Sequence, residues 1–132
     1  MDEPTFIFDY LKYPILPVKF CSDGKETPFI DALLDSGGDF IVIPMPIARY
    51  LGLKLKRAGD VDTAGGTTTL FKASIHMIIG GKEKNVTYSD LEIHVSDRDD
   101  IPVLIGREPI FEDYEITFKK NFNQLILKSI KG

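Results

Sequence analysis

The sequence predicts an all-β fold, a barrel or sandwich, and three observations carry that expectation. Short apolar runs recur along most of the chain, turn residues separate them at close intervals, and only two brief stretches carry helix signals. With 132 residues, one domain spanning positions 1–132 is expected, burying about two-thirds of the surface of its unfolded chain. No Ser/Pro/Gly-rich linker or low-complexity segment divides it.

Taken in order, Tyr13 to Phe20 and Thr27 to Leu34 flank Ser22-Asp23-Gly24-Lys25, and Asp-Gly between two apolar runs is a hairpin signal. Phe40 to Pro44 is wholly apolar, the pattern of a short buried strand. In Pro46-Ile47-Ala48-Arg49-Tyr50-Leu51-Gly52, a proline at the start and a glycine past the end delimit a helix of one or two turns. Ala58 to Thr63 and Thr67 to Ile79 read as strands joined by Ala64-Gly65-Gly66. Gly80-Gly81 then turns the chain into a strand over Lys82 to Tyr88. Leu91 to Val95 alternates strictly, which buries one face and sends His94 to solvent. Val103-Leu104-Ile105 is a short apolar strand ended by Gly106, and Glu108-Pro109-Ile110-Phe111 can start a second short helix. Glu115 to Lys119 and Gln124 to Ile130 form a closing hairpin around Lys120-Asn121-Phe122-Asn123.

Composition narrows the function classes. A net charge of −4 argues against a general nucleic-acid binder, and the one basic cluster, Lys54, Lys56 and Arg57, reads as a solvated loop. Cys21 is the single cysteine, so no internal disulfide forms and a reducing compartment, the cytoplasm, is expected. Met1-Asp2-Glu3-Pro4 lacks the basic segment and apolar run of a signal peptide, and no apolar stretch reaches membrane-spanning length. His76 and His94 are too far apart for a metal motif, and Asp97-Arg98-Asp99-Asp100 lacks calcium-loop spacing. No metal, cofactor, nucleic acid or membrane partner is expected.

The chemistry concentrates in Ala32-Leu33-Leu34-Asp35-Ser36-Gly37-Gly38-Asp39-Phe40. An apolar strand runs into an acid, a hydroxyl and two glycines. A carboxylate at the end of a buried strand is costly unless partners are supplied, which makes Asp35 a candidate functional group. The alternative is a tight turn, where Asp, Ser and Gly are all at home. Ser36 has no sequence-local base, so a serine hydrolase is disfavoured. Asp62-Thr63-Ala64 looks like a second acid-hydroxyl triplet but follows Asp60-Val61 and leads into a Gly-Gly tip, which fits a hairpin strand better.

Three features occur in order: Leu33-Leu34-Asp35-Ser36-Gly37, the glycine-rich tip at Gly65, and Val103-Leu104-Ile105-Gly106-Arg107. In that combination, from about Tyr13 to Leu127, the chain resembles the retroviral-type (retropepsin-like) aspartic proteases, the single-lobe members of the pepsin family. The resemblance implies a single-lobe acid-protease closed β-barrel with one or two short helices. It implies that Asp35 is the catalytic acid, that Ser36 hydrogen-bonds across a dimer axis, and that Gly37 lets backbone approach the catalytic pair. Asp39 would contact substrate backbone beside Gly38 and pair with Arg107, the loops being supported by Gly106. Ala64, Gly65 and Gly66 would form a flap over the substrate.

One Asp-Ser-Gly per chain implies a homodimer, with the Asp35 carboxylates of two subunits sharing one site. The activity implied is an aspartic endopeptidase acting on extended peptide or unfolded protein. Gly38 departs from the Ala or Ser common at that position; it supplies no hydroxyl to stabilise the ionised pair, so a looser loop and an optimum less acidic than pepsin's are expected. The extended C-terminal hairpin departs too and places the dimer geometry in question. The rival readings are a non-catalytic module of the same fold that dimerises or binds peptides, and an unrelated monomeric barrel enclosing a small ligand.

Overall fold

In a computed structural model, residues 5–64, 66–81 and 84–130 are described. Among these residues eleven strands, two short α-helices and one 3-10 turn follow one another: β1 Thr5–Asp9, β2 Ile15–Ser22, β3 Lys25–Glu26, β4 Ile30–Leu34, β5 Val42–Pro44, α1 Met45–Leu51, β6 Lys56–Thr63, β7 Gly66–Gly80, β8 Asn85–Ser96, β9 Val103–Ile105, α2 Ile110–Asp113, β10 Tyr114–Lys119, the 3-10 turn Lys120–Phe122 and β11 Gln124–Ser129. Hydrogen bonding runs β2-β4-β9-β5-β8-β7, and β7 returns to β2, closing a six-stranded barrel. The all-β closed barrel expected from the sequence is the observed fold.

Alternation builds the barrel interior. Leu16, Val18 and Phe20 of β2 face Ala73, Ile75, Met77 and Ile79 of β7, and Ile93, Val95, Val103 and Ile105 complete the core, all nearly or fully buried. A period of two with apolar residues on one face lets each strand cover half of a common interior. The hairpin after β2 turns at Asp23 (φ 47°) and Gly24 (φ 80°), the double positive φ of a type I′ turn. Beyond the turn, Thr27 accepts a hydrogen bond at Oγ1 from the Phe20 amide (3.0 Å) and donates to Pro28 O (2.8 Å). The Thr27 amide still donates to Phe20 O (2.9 Å), but its side chain takes the Phe20 amide that a continuing ladder would give to its carbonyl, and the strand predicted from Thr27 begins only at Ile30.

A second sheet, β1-β11-β10, closes one end of the core with Phe6, Phe8, Tyr114, Leu125 and Leu127. Phe6 packs parallel to Phe8 and edge-on to Tyr114, with both centroid separations 6.1 Å. Tyr88 on β8 donates its hydroxyl to Asp113 Oδ2 (2.7 Å), tying α2 to the barrel, and burial together with that carboxylate pushes the phenol up.

Several elements differ from expectation. Strand β1 is not evident locally because its partner, β11, lies at the other end of the chain. The two strands predicted on either side of Ser89-Asp90 are one strand, β8, carrying a bulge: Asp90 takes φ 51° and donates its amide to His76 Nδ1 (3.3 Å). Lys56 and Arg57 belong to β6 rather than to a loop. Phe40 was expected in a buried strand, yet it is 42% exposed, and the strand starts at Val42. His94 was expected to face solvent, yet it is half-buried, its ring centroid 4.6 Å from that of Phe40. None of the described helices is long and apolar enough to cross a membrane.

Candidate active site

Parallel pairing of β4 with β9 brings the two chemically distinctive segments together. The register Leu33↔Leu104 and Leu34↔Ile105 places the residues that follow each strand side by side. The Asp35 amide donates to Ile105 O (2.8 Å), so Asp35 is fixed at the strand end. Its Oδ1 accepts the Gly37 amide (3.0 Å), and its carbonyl accepts the Gly38 amide (3.2 Å). This is the Asx turn that an Asp-x-Gly sequence favours. In one chain Asp35 is half-buried, while Ser36 and Gly37 are exposed. The Ser36 hydroxyl has no hydrogen-bond partner among the described residues of the chain.

The second loop is laced to the first. Gly106 N donates to Phe40 O (3.2 Å), Arg107 N to Gly38 O (2.8 Å), and Glu108 N to Asp39 O (2.9 Å). Arg107 Nη2 also donates to Asp39 Oδ1, which is the pairing expected from the sequence. Only glycine fits at 106: a Cβ there would lie 2.4 Å from Phe40 O and 2.6 Å from Phe40 N. At Gly37 and Gly38 an added Cβ would meet the Asp35 carboxylate at 3.4 and 3.3 Å. Gly38 departs from the small side chains expected there, but both of its backbone polar groups are hydrogen-bonded.

The β6–β7 hairpin carries the third feature. Ala64 is exposed at the turn, Gly66 (φ 116°) is exposed and opens β7, and Gly65 lies outside the described residues. A polar ladder stiffens the hairpin's outer face. Arg57 Nη2 donates to both carboxylate oxygens of Asp60 at 3.0 Å, Thr69 Oγ1 to Asp60 Oδ1 at 2.9 Å, and Thr67 Oγ1 to Asp62 Oδ1 at 3.0 Å. The Arg57 hydrogen bond, then that from Thr69, holds Asp60 below the usual carboxylate range. Thus the loops of Asp35 to Asp39 and Gly106-Arg107 are joined directly, whereas the hairpin reaches them through β8 and β5.

Phe40 and His94 were not among the site residues expected from the sequence, which placed Phe40 in a buried strand and His94 in solvent. Together they wall a cavity of about 290 Å³ beside the Asp35 loop. Burial first, then the charge of Lys72, pushes the imidazole of His94 below its ordinary value, with Glu92 opposing. The available signal was the position of Phe40, directly after Asp39, where a buried strand would have to begin at once.

The chain's sequence matches none of the curated proteins. Among solved structures, a retropepsin-like aspartic protease from Rickettsia conorii superposes with a TM-score of 0.71 at 20% identity, covering 94% of this chain and 98% of that one. The EIAV protease, solved with the inhibitor HBY-793, superposes with a TM-score of 0.56 at 18% identity, covering 80% of this chain and 91% of that one. The family model described as aspartyl protease matches residues 16–108, which run from the first barrel strand through both laced loops. Fold and sequence therefore agree, and the chain belongs to the aspartyl protease family.

Proposed function

We propose that the protein is an aspartic endopeptidase, one domain over residues 1–132, that works as a homodimer with Asp35 of each subunit in one shared site. The observation that carries this reading is the placement of Asp35 at the end of β4, half-buried, in a loop held by seven hydrogen bonds, only one of which is made to its carboxylate. Two such carboxylates held close cannot both ionise, so one acts as acid while the other acts as base. Together they activate a water for attack on a peptide carbonyl and return the proton to the leaving amine. The exposed Ser36 hydroxyl, with no partner among the described residues, is suited to bond across a two-fold axis, where each residue meets its own copy's surroundings.

The seam at the chain ends is a different matter. Strand β11 is flanked on both sides by β1 and β10 of its own chain, so it has no free edge to interleave with a partner. Contacts around the Asp35 loops and the edges of β1 or β10 then carry the dimer. Extended peptide would lie beneath the β6–β7 flap, bonded through its backbone, so side-chain preference is broad and mostly apolar. The single free cysteine suits a cytoplasmic site of action.

The test is Asp35→Asn. Cleavage of unfolded protein by the wild type, abolished in a folded, dimeric Asp35→Asn variant, supports the reading. Residual cleavage in a clean preparation of that variant overturns it. A folded wild-type dimer that binds peptides without cutting them at any pH would leave the non-catalytic module instead.

A further inference from the structure

Two loops meet at one end of the three-stranded sheet and leave large apolar side chains in solvent. The first, Tyr10 to Tyr13, follows β1; the second, Phe118 to Asn123, carries β10 into β11. Backbone and side chain latch them together. Tyr10 N donates to Asn123 O (2.8 Å), and the Lys120 ammonium donates to Tyr10 O (3.3 Å) and to Leu11 O. That ammonium also lies 4.8 Å from the centroid of the Tyr10 ring, which meets the Phe118 ring edge-on at 6.1 Å. What the latch presents is apolar: Leu11 is 72% exposed, Phe122 67%, Tyr13 53% and Phe118 47%. Apolar side chains gathered in water on two joined loops mark a surface that meets a partner.

Charge identifies that partner. The whole chain carries −4, yet the two loops hold Lys12, Lys119 and Lys120 and no Asp or Glu. Among the described residues, none of the three lysines pairs with a carboxylate. Leucine and aromatic side chains with lysines around them match an anionic bilayer. The apolar groups enter the headgroup boundary while the ammonium groups stay among the lipid phosphates. Side chains this exposed at loop ends suit such a deformable phase; a protein partner would need a hollow shaped to them. We propose that the tip formed by Leu11, Tyr13, Phe118 and Phe122 docks the protein onto an anionic lipid surface, with Lys12 and Lys119 supplying the attraction. The docking is peripheral, reversible and weakened by salt. Pro14 O, one residue past the tip, accepts the Leu34 amide (2.9 Å), so docking keeps the Asp35 loop close to the lipid. The sequence expectation of no membrane partner rested on the lack of a spanning run, which does not bear on a surface contact. The inference stands apart from the peptidase reading.

Co-sedimentation of the intact chain with vesicles tests the docking, one set made of phosphatidylcholine alone and one of equal parts phosphatidylcholine and phosphatidylserine. Wild type is expected to bind the anionic set at least about tenfold more tightly at low salt, the difference shrinking as salt rises. Lys12→Glu/Lys119→Glu is expected to weaken that binding about twentyfold or more, at about fivefold for each cation removed. Leu11→Ser/Phe122→Ser is expected to weaken it about tenfold or more through lost apolar burial. Lys120 is kept because it latches the loops. Circular dichroism and analytical sedimentation should show each variant with the fold and association state of the wild type. Absence of wild-type binding, equal binding to both vesicle sets, or unchanged binding in either double variant overturns the proposal. So does a wild-type dimer that Leu11→Ser/Phe122→Ser dissociates, because the patch is then a contact between two copies of the chain. None of these outcomes overturns the peptidase reading, which Asp35→Asn tests separately.

Discussion

The guanidinium of Arg107 donates to the carboxylate of Asp39 and so clasps two loops that are 68 residues apart in sequence. Both side chains are more than half exposed, at 55% and 61%. Exposed pairs of this kind contribute at most about 1 kcal/mol to stability. Their value lies instead in positioning, because three backbone hydrogen bonds and this clasp together hold the loop that presents Asp35.

Arg107→Ala should accordingly lower stability by about 1 kcal/mol or less. Peptidase kcat/KM should fall by about tenfold or more, since small misplacements of reacting groups are expensive. Denaturant unfolding and steady-state kinetics on the same preparation check the contrast. A loss of stability that accounts for the whole loss of activity would contradict it.

Gly106→Ala should be far more damaging. The new methyl group would meet the Phe40 backbone at 2.4 and 2.6 Å, and backbone on both loops would have to move. A cost of about 3 kcal/mol or more is expected, at the upper end of overpacking effects. The urea midpoint, or failure to recover folded protein, reads this directly.

Ser36→Ala should leave the fold of each chain intact while weakening the dimer. Two symmetry-related hydrogen bonds at about 0.5–1.5 kcal/mol each correspond to a rise in the dimer Kd of roughly five- to 150-fold. Sedimentation equilibrium checks the association, and circular dichroism checks the fold.

Gly38→Ser tests the departure at that position. Its Cβ would lie 3.3 Å from Asp35 Oδ2, close enough for the new hydroxyl to donate to the carboxylate after a small adjustment. A donor favours the ionised form of the catalytic pair. The acid limb of the pH dependence of kcat/KM should then move to lower pH, with the wild-type limb lying above it. An unchanged limb in an active variant would show that the hydroxyl does not reach the pair.

Stability should also carry the signature of His94. Burial and Lys72 lower its proton affinity in the folded chain, so the unfolded chain binds more protons as pH falls below 6.5. The contribution is complete above the unfolded value and is lost as pH drops toward the lower folded value. Asp60 and Asp100, both held below 3.8, lose theirs only at more acidic pH. Urea midpoints across pH for wild type and His94→Phe should diverge as pH falls from neutrality through 6.5, the variant declining less.

The elements that the sequence determined are those whose cause is local. Alternation in β2, β7 and β11, the Asp23-Gly24 turn, the proline and glycine that bound α1, and the Asx turn at Asp35 are all written within a few neighbouring residues. The ordered motifs also announced that Asp35 to Asp39 and Gly106-Arg107 belong together, and the Arg107–Asp39 contact was legible in advance. What only tertiary structure decided are the effects of distant partners. Strand β1 exists because β11 arrives beside it from the far end of the chain. The Asp90 bulge keeps β8 continuous because His76, on the neighbouring strand, accepts its amide. Phe40 and His94 wall one cavity because β5 and β8 pair in parallel and put residues more than 50 positions apart in contact. Local patterning specifies which face of a strand is buried; only the closed barrel specifies what that face meets.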